Sequence, residues 1–183
     1  MQFKFKHSKI TFNTKAKLVN GLNVTFVFAE DAKSVYQELT KNPQAILVED
    51  LNKLSGLVVH NDTILMSLGA KSKFTSDGLV NVATSLAKFV ASREISEINL
   101  HLTNVHAEKL ALSYAELVEK FIVDFGNGLY YFDDFKTEKT KLALEKVHVS
   151  SDEDLSKALA NAVAILEGYF IVRDLANNPS NVA

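Results

Sequence analysis

The feature that most limits the fold of this chain is a repeated change in the period of its apolar residues. From Ser76 onward Leu79, Val82, Ala83, Leu86, Phe89 and Val90 recur at three- and four-residue spacing, then residues 95–102, ISEINLHL, return to strand character. The first pattern lays an apolar stripe along one face of a helix. The change happens again. Residues 107–135 carry helical spacing through Leu110, Tyr114, Leu117, Val118, Phe121, Ile122, Phe125, Leu129 and Phe132, and KLALEKVHV then reads as a strand through Leu142, Leu144, Val147 and Val149. That strand skips a beat at Glu145-Lys146, which leaves its register open. A last apolar face runs through Leu155, Leu159, Ala162, Val163, Leu166, Phe170 and Leu175, behind a cap-like Ser151 and Asp154. Strands that alternate with helices of this length call for a mixed, mostly parallel sheet with helices on both faces, an α/β fold.

The amino-terminal third is built from shorter signals. MQFKFK alternates apolar and polar residues, as a half-buried edge strand protected by lysines does. LNVTFVFA follows Asn20-Gly21 and reads as an interior strand, with the preceding segment expected back as its partner through a turn. EDAKSVYQELTKNP predicts a helix capped near Asp31 and closed before Pro43; short strands are expected at 46–48 and 57–60, and DTILMSLGA is a buried strand ending at Gly69. Gly126 and Gly128 interrupt a helical pattern, marking either a break or a close approach of backbone to a neighbour.

A chain of 183 residues with 47% apolar content fits one domain with a sizeable core, and no repeat or internal linker divides it. The absence of cysteine removes disulfides, thiolate metal sites and cysteine nucleophiles. No apolar run approaches the roughly 18 residues of a membrane span, and the start lacks a signal-peptide pattern, so a cytoplasmic protein is expected. A net charge of −2 gives little attraction for polyanions. Lys4, Lys6, Lys9, Lys15 and Lys17 all precede the first acidic residue, Glu30, and read as the solvated side of an edge strand and its turn.

The search for chemistry ends in structural explanations. Seven glycines leave little for a phosphate-cradling loop: GNG at 126–128 lies in a helical pattern, and LGAKSKFTSDG reads as an ordinary strand-to-helix connection. His101 and His106 have no acidic residue between them, and His60 with Asp62 is no ligand motif. Asp133 and Asp134 are adjacent, so on a helix they diverge by about 100°, poor geometry for an acid/base pair. No Ser-His-Asp arrangement is evident. No catalytic, cofactor-binding or metal-binding residue is therefore assigned.

Two stretches near the end carry a resemblance. RDLANNPSN, from Arg173, with Asp174, Leu175, Asn177, Pro179 and Asn181, resembles the boundary that precedes the catalytic domain in the cytosolic leucyl aminopeptidases of peptidase family M17; Ser180 stands where a second proline is common. GLYYFDDFKTEKT, from Gly128, is similar to a stretch those domains carry before their last strand. The resemblance implies a three-layer αβα amino-terminal domain, macro-domain-like, over residues 1–176, with 177–183 beginning a linker to a catalytic domain. It implies that two divalent ions (zinc, manganese or magnesium), their ligands and the peptide substrate belong to that other domain, and that residues 1–183 alone are inactive. Its implied partners are that catalytic domain and, for the whole enzyme, five further copies in a hexamer. The alternative from another class is a nucleic-acid-binding accessory module, supported only by the amino-terminal lysines and opposed by the net charge and by only two arginines, Arg93 and Arg173. A stand-alone ligand domain of the ADP-ribose-binding kind is third, disfavoured by the scarcity of glycine.

Overall fold

A computed structural model describes residues 1–5, 8–15, 21–44, 49–105 and 107–178. The strand expected at 46–48, together with Lys6, Lys17, Asn20, His106, Pro179, Ser180 and Asn181, lies outside the described residues, as does the side chain of Phe5. Among the described residues seven strands form one sheet: β1 (Gln2–Phe5), β2 (Ser8–Lys15), β3 (Leu22–Val27), β4 (Leu57–His60), β5 (Thr63–Ser67), β6 (Glu97–His101) and β7 (Lys146–Ser150). Their order is β1-β2-β7-β6-β3-β5-β4. The five central strands run parallel, and the edge strands β1 and β4 pair antiparallel with β2 and β5.

This topology confirms the mixed, mostly parallel sheet and corrects one pairing. The antiparallel start is β1 with β2; β3 is not the hairpin partner of the segment before it, because it lies between β5 and β6. Val24, Phe26 and Val27 are all buried, so β3 needs cover on both faces and neighbours on both sides. At the edge, exposed Lys4 lies opposite exposed Lys9, and like charges there discourage a further strand.

Three helices cover one face of the sheet: α2 (Ser76–Ala91), α3 (Tyr114–Gly128) and α4 (Ser156–Asn177), with α3 lying between the other two. They bury Val24, Phe26, Ile64, Met66, Ile98, Leu100, Val147 and Val149 in the main core. The opposite face carries α1 (Ala32–Thr40) over a smaller cluster of Val27, Ala32, Leu51 and Leu65. The fold is α/β with helical layers on both sides, the second much thinner.

The helical segment expected over 107–135 is two elements followed by irregular chain. A short 3-10 turn spans Ala107–Leu110, and α3 begins only at Tyr114. A capping box fixes that start. The Ser113 hydroxyl accepts from the Glu116 backbone N–H, and the Glu116 carboxylate accepts from the Ser113 N–H at 2.8 Å. Gly126 and Gly128 do not break the helix. A Cβ on Gly126 would stand 2.5 Å from Leu166 Cδ1 of α4, and one on Gly128 would stand 2.8 Å from Ala87 Cβ of α2. They are the points at which α3 is squeezed between its neighbours. β7 begins only at Lys146, so Leu142 and Leu144 are buried from irregular chain and not from a strand. At α4 the carboxylate that accepts from the first turn is Asp154, bonded to Ser156 N at 2.9 Å, while Ser151 caps only its own turn through Glu153.

Candidate functional site

Among the described residues, the polar residues singled out in the sequence do not converge. His60 and Asp62 flank the β4–β5 turn, where the Thr63 hydroxyl donates to Asp62. His101 ends β6, half-buried, and burial holds its imidazole below the ordinary histidine range. Asp133 and Asp134 lie on irregular chain and not on a helix. Asp133 is buried, its Oδ2 accepts from Thr140 N at 2.6 Å, and Lys139 donates to the backbone carbonyls of both aspartates. Asp133 therefore closes a turn. Among the described residues no three of His, Asp and Glu stand together in a way that suits a metal ion.

Parallel sheets tend to hold ligands where the chain reverses its direction of growth, outside the carboxyl ends of the strands. Here that point lies between β3 and β6, where a cleft of about 410 Å³ is lined by Phe28, Asp31, Ser34, Thr103 and Asn104, among others. Its charge is already engaged: Lys71 Nζ lies 3.0 Å from Asp31 Oδ2, and the Glu30 carboxylate accepts from the Lys71 backbone N–H at 3.0 and 3.1 Å. That backbone hydrogen bond holds Glu30 below the usual carboxylate range.

A polar sheet face escaped sequence reading. Asn13, His148, Asn99 and Asn23 are register partners across β2, β7, β6 and β3, on the face opposite the main core. Asn99 donates to Asn23 at 3.1 Å, and the His148 ring nitrogen Nε2 lies 2.7 Å from Glu97 Oε1. Burial works to raise the Glu97 carboxyl, but hydrogen bonds and charges from His148 and Lys146 outweigh it and hold the group below its usual range. An ionised carboxylate only accepts, so Nε2 carries the proton. The signal was available in EINLH and KVHVS, whose alternation leaves only one face apolar.

The two stretches that carry the family resemblance meet in space. The Arg173 guanidinium lies 3.8 Å from the centre of the Tyr130 ring, and its Nη1 donates to the backbone carbonyl of Asn127 at 3.1 Å and to that residue's side-chain oxygen. Tyr130 Oη donates to Asp174 Oδ1 at 2.8 Å and accepts from Asn177 Nδ2 at 3.1 Å. The Tyr130 ring also meets Phe170 edge-on at 5.2 Å, and Phe170 meets Phe3 of β1 at 5.0 Å. The polar groups of this junction are bonded to one another. The junction fixes the last turns of α4 against the end of α3.

With its inner side held in this way, α4 presents an unusual outer side. Ala164, Ile165, Gly168, Tyr169, Ile171, Val172, Leu175 and Ala176 are exposed, and Ile171, Val172 and Leu175 are about 60% exposed. Leu159, Ala162, Leu166 and Phe170 are buried on the inner side, so the helix is apolar on both.

Among the described residues, a mixed seven-stranded sheet with three helices packed on one face and one on the other defines the class as an α/β domain. No family model matches the chain. It is 28% identical over 126 residues to a probable cytosol aminopeptidase of Rickettsia canadensis, covering 65% of this chain and 24% of that protein. The corresponding Rickettsia bellii protein is 26% identical over 124 residues, with the same shares. Among solved structures, a mutant of tomato leucine aminopeptidase has a TM-score of 0.75 at 16% identity, covering 100% of this chain and 41% of that one. The cytosol aminopeptidase of Coxiella burnetii has a TM-score of 0.61 at 13% identity, covering 93% and 34%. The chain thus spans about a quarter of the length of the curated relatives it matches. Its sequence is similar to those of probable cytosol aminopeptidases, and its fold is that of the leucine aminopeptidase amino-terminal domain.

Proposed function

We propose that this chain is the non-catalytic amino-terminal domain of a cytoplasmic dimetal leucyl aminopeptidase, serving assembly or regulation of the enzyme. The observation that carries the reading is the match of the whole chain to 41% of a leucine aminopeptidase, in a region that shares its fold. Residues 1–176 form the domain body in this reading, and 177–183 begin the connection to a catalytic domain. Zinc, manganese or magnesium ions in that second domain would polarise the scissile carbonyl and activate water. The residues of this chain take no part in that step. The whole enzyme is a hexamer in this reading, with peptides bound away from residues 1–183.

The test is expression of the complete reading frame that contains residues 1–183. A longer polypeptide that releases amino-terminal leucine from peptides in a metal-dependent way supports the proposal. A complete product without peptidase activity under any of the three metals contradicts it.

A further inference from the structure

The amino-terminal lysines are joined in space by lysines from the later part of the chain. Edge protection accounts for Lys4 opposite Lys9 on β1 and β2. It does not account for Lys146, which opens β7 on the inner side of β2, or for Lys141 in the irregular chain before it. A cleft of about 360 Å³ lies there, lined by Ser8, Lys9, Thr11, Lys141, Glu145 and Lys146, among others. Three ammonium groups thus line one cleft with a single carboxylate, in a chain whose net charge is −2. Lys9 and Lys141 have no carboxylate partner among the described residues. Lys146 shares Glu97 with His148: its Nζ lies 3.4 Å from Oε2, while Oε1 is held by the His148 ring at 2.7 Å. Like charges gathered in this way repel one another, and a bound anion relieves the repulsion.

The wall of the cleft adds hydroxyl groups. Ser8 is only 8% exposed, and its Oγ accepts from Leu142 N at 3.2 Å. Its own hydrogen meets no acceptor among the described residues, so a buried donor lines the cleft with nothing to bond. Thr11, half-buried, brings a second hydroxyl, and its backbone N–H holds the Glu145 carbonyl at 2.8 Å, which ties β2 to the chain that carries Lys141 and Lys146. Lysine binds phosphate as a point charge, whereas a carboxylate is matched best by an arginine fork, and no arginine lines this cleft among the described residues. No aromatic ring lines it there either, so nothing is placed to stack a base.

We propose that the cleft between the start of β2 and residues 141–146 is a binding site for a small phosphate-bearing molecule, whose phosphoryl oxygens accept from Lys9, Lys141, Lys146 and the Ser8 hydroxyl. The site is independent of the reading of this chain as part of an aminopeptidase. Pyrophosphate is the probe, titrated into the chain at low and at physiological salt and followed by calorimetry and by backbone amide shifts in nitrogen–proton spectra. The proposal expects one site per chain, shifts concentrated at residues 8–11 and 141–146, and an affinity that falls as salt rises. Lys9→Gln combined with Lys141→Gln removes two exposed ammonium groups and weakens binding by about tenfold or more. Lys33→Gln combined with Lys88→Gln, exposed on α1 and α2, makes the same change in net charge and leaves the affinity within about twofold of the parent chain.

An equal loss of affinity in the two double variants, or shifts spread over other surfaces, marks attraction by overall charge and overturns the site. No binding at about 10 mM pyrophosphate overturns it as well. An oligonucleotide that displaces pyrophosphate and binds more tightly, with the same dependence on Lys9 and Lys141, overturns the small-molecule occupant in favour of a nucleic acid. None of these outcomes touches the proposed function.

Discussion

Arg173 stacks on Tyr130, its guanidinium 3.8 Å from the ring centre, and thereby joins two stretches 43 positions apart in the chain (173 − 130). The same tyrosine receives Asn177 and donates to Asp174, so three residues of the last turns of α4 converge on one side chain. These contacts hold the end of the helix against α3 while its other side stays apolar and open.

The junction makes a stability prediction. Arg173→Ala loses a cation–π contact of about 1 kcal/mol and hydrogen bonds from a charged donor of about 1.5–3 kcal/mol, and the half-buried site discounts that sum. A loss of about 2 kcal/mol in chemical unfolding is expected, with faster amide exchange over residues 170–177. Arg173→Lys recovers little, because an ammonium neither stacks nor reaches Asn127 with a planar fork. Tyr130→Phe costs about 1 kcal/mol through the lost hydroxyl bonds. Unchanged exchange at the end of α4 in Arg173→Ala would remove the structural role given to this pair.

Two glycine substitutions should act with opposite sign. At Gly128 a methyl would stand 2.8 Å from Ala87 Cβ and 3.1 Å from Thr84 Cα, neither of which is a flexible end, so Gly128→Ala is expected to destabilise by about 1–3 kcal/mol. At Gly168 a methyl meets nothing, so Gly168→Ala is expected to stabilise the isolated chain by about 1 kcal/mol, the helix-propensity difference. Thermal unfolding of the two variants side by side decides the matter; a stabilised Gly128→Ala would mean that α2 and α3 are not in close contact there.

The pair of Glu97 and His148 gives a pH dependence. The carboxyl of Glu97 titrates below its ordinary value of 4.5 in the folded chain. The folded state therefore favours the ionised form. The resulting stabilisation is fully present above pH 4.5 and is lost as pH falls through the lower folded value. In Glu97→Gln the fall in stability with acid over this window should be shallower than in the parent chain. Identical slopes from pH 5 to pH 3 would show that Glu97 keeps no favourable partner in the folded state.

The layered fold was legible because period is a property of neighbouring residues. Helix α2 and strand β6 stand close to where their spacing places them. Pairing across distance was not legible: Asn20-Gly21 suggested a hairpin, but the side-chain pattern of β3 fits an interior strand wherever its partners come from. The early end of α3 was hidden because Leu129 and Phe132 continue helical spacing by coincidence, and its start was missed although Ser113 and Glu116 stand at capping-box spacing. The candidate surface was half legible. Leu155 to Leu175 showed an apolar face, but the second apolar side appears only once the first is seen to be filled by α3, β1 and β2. The polar sheet face under Asn99 and His148 was visible as alternation, but the register that sets Asn13, Asn23, Asn99 and His148 side by side joins strands distant in the chain.

The most direct measurement of the central claim is hydrolysis of a leucyl chromogenic substrate by rigorously purified residues 1–183, with zinc, manganese or magnesium added in turn. The account predicts no turnover above the uncatalysed rate with any metal, and turnover only when the chain is part of the complete polypeptide. Metal-dependent cleavage by the pure chain, abolished by a chelator and restored by the ion, would contradict it.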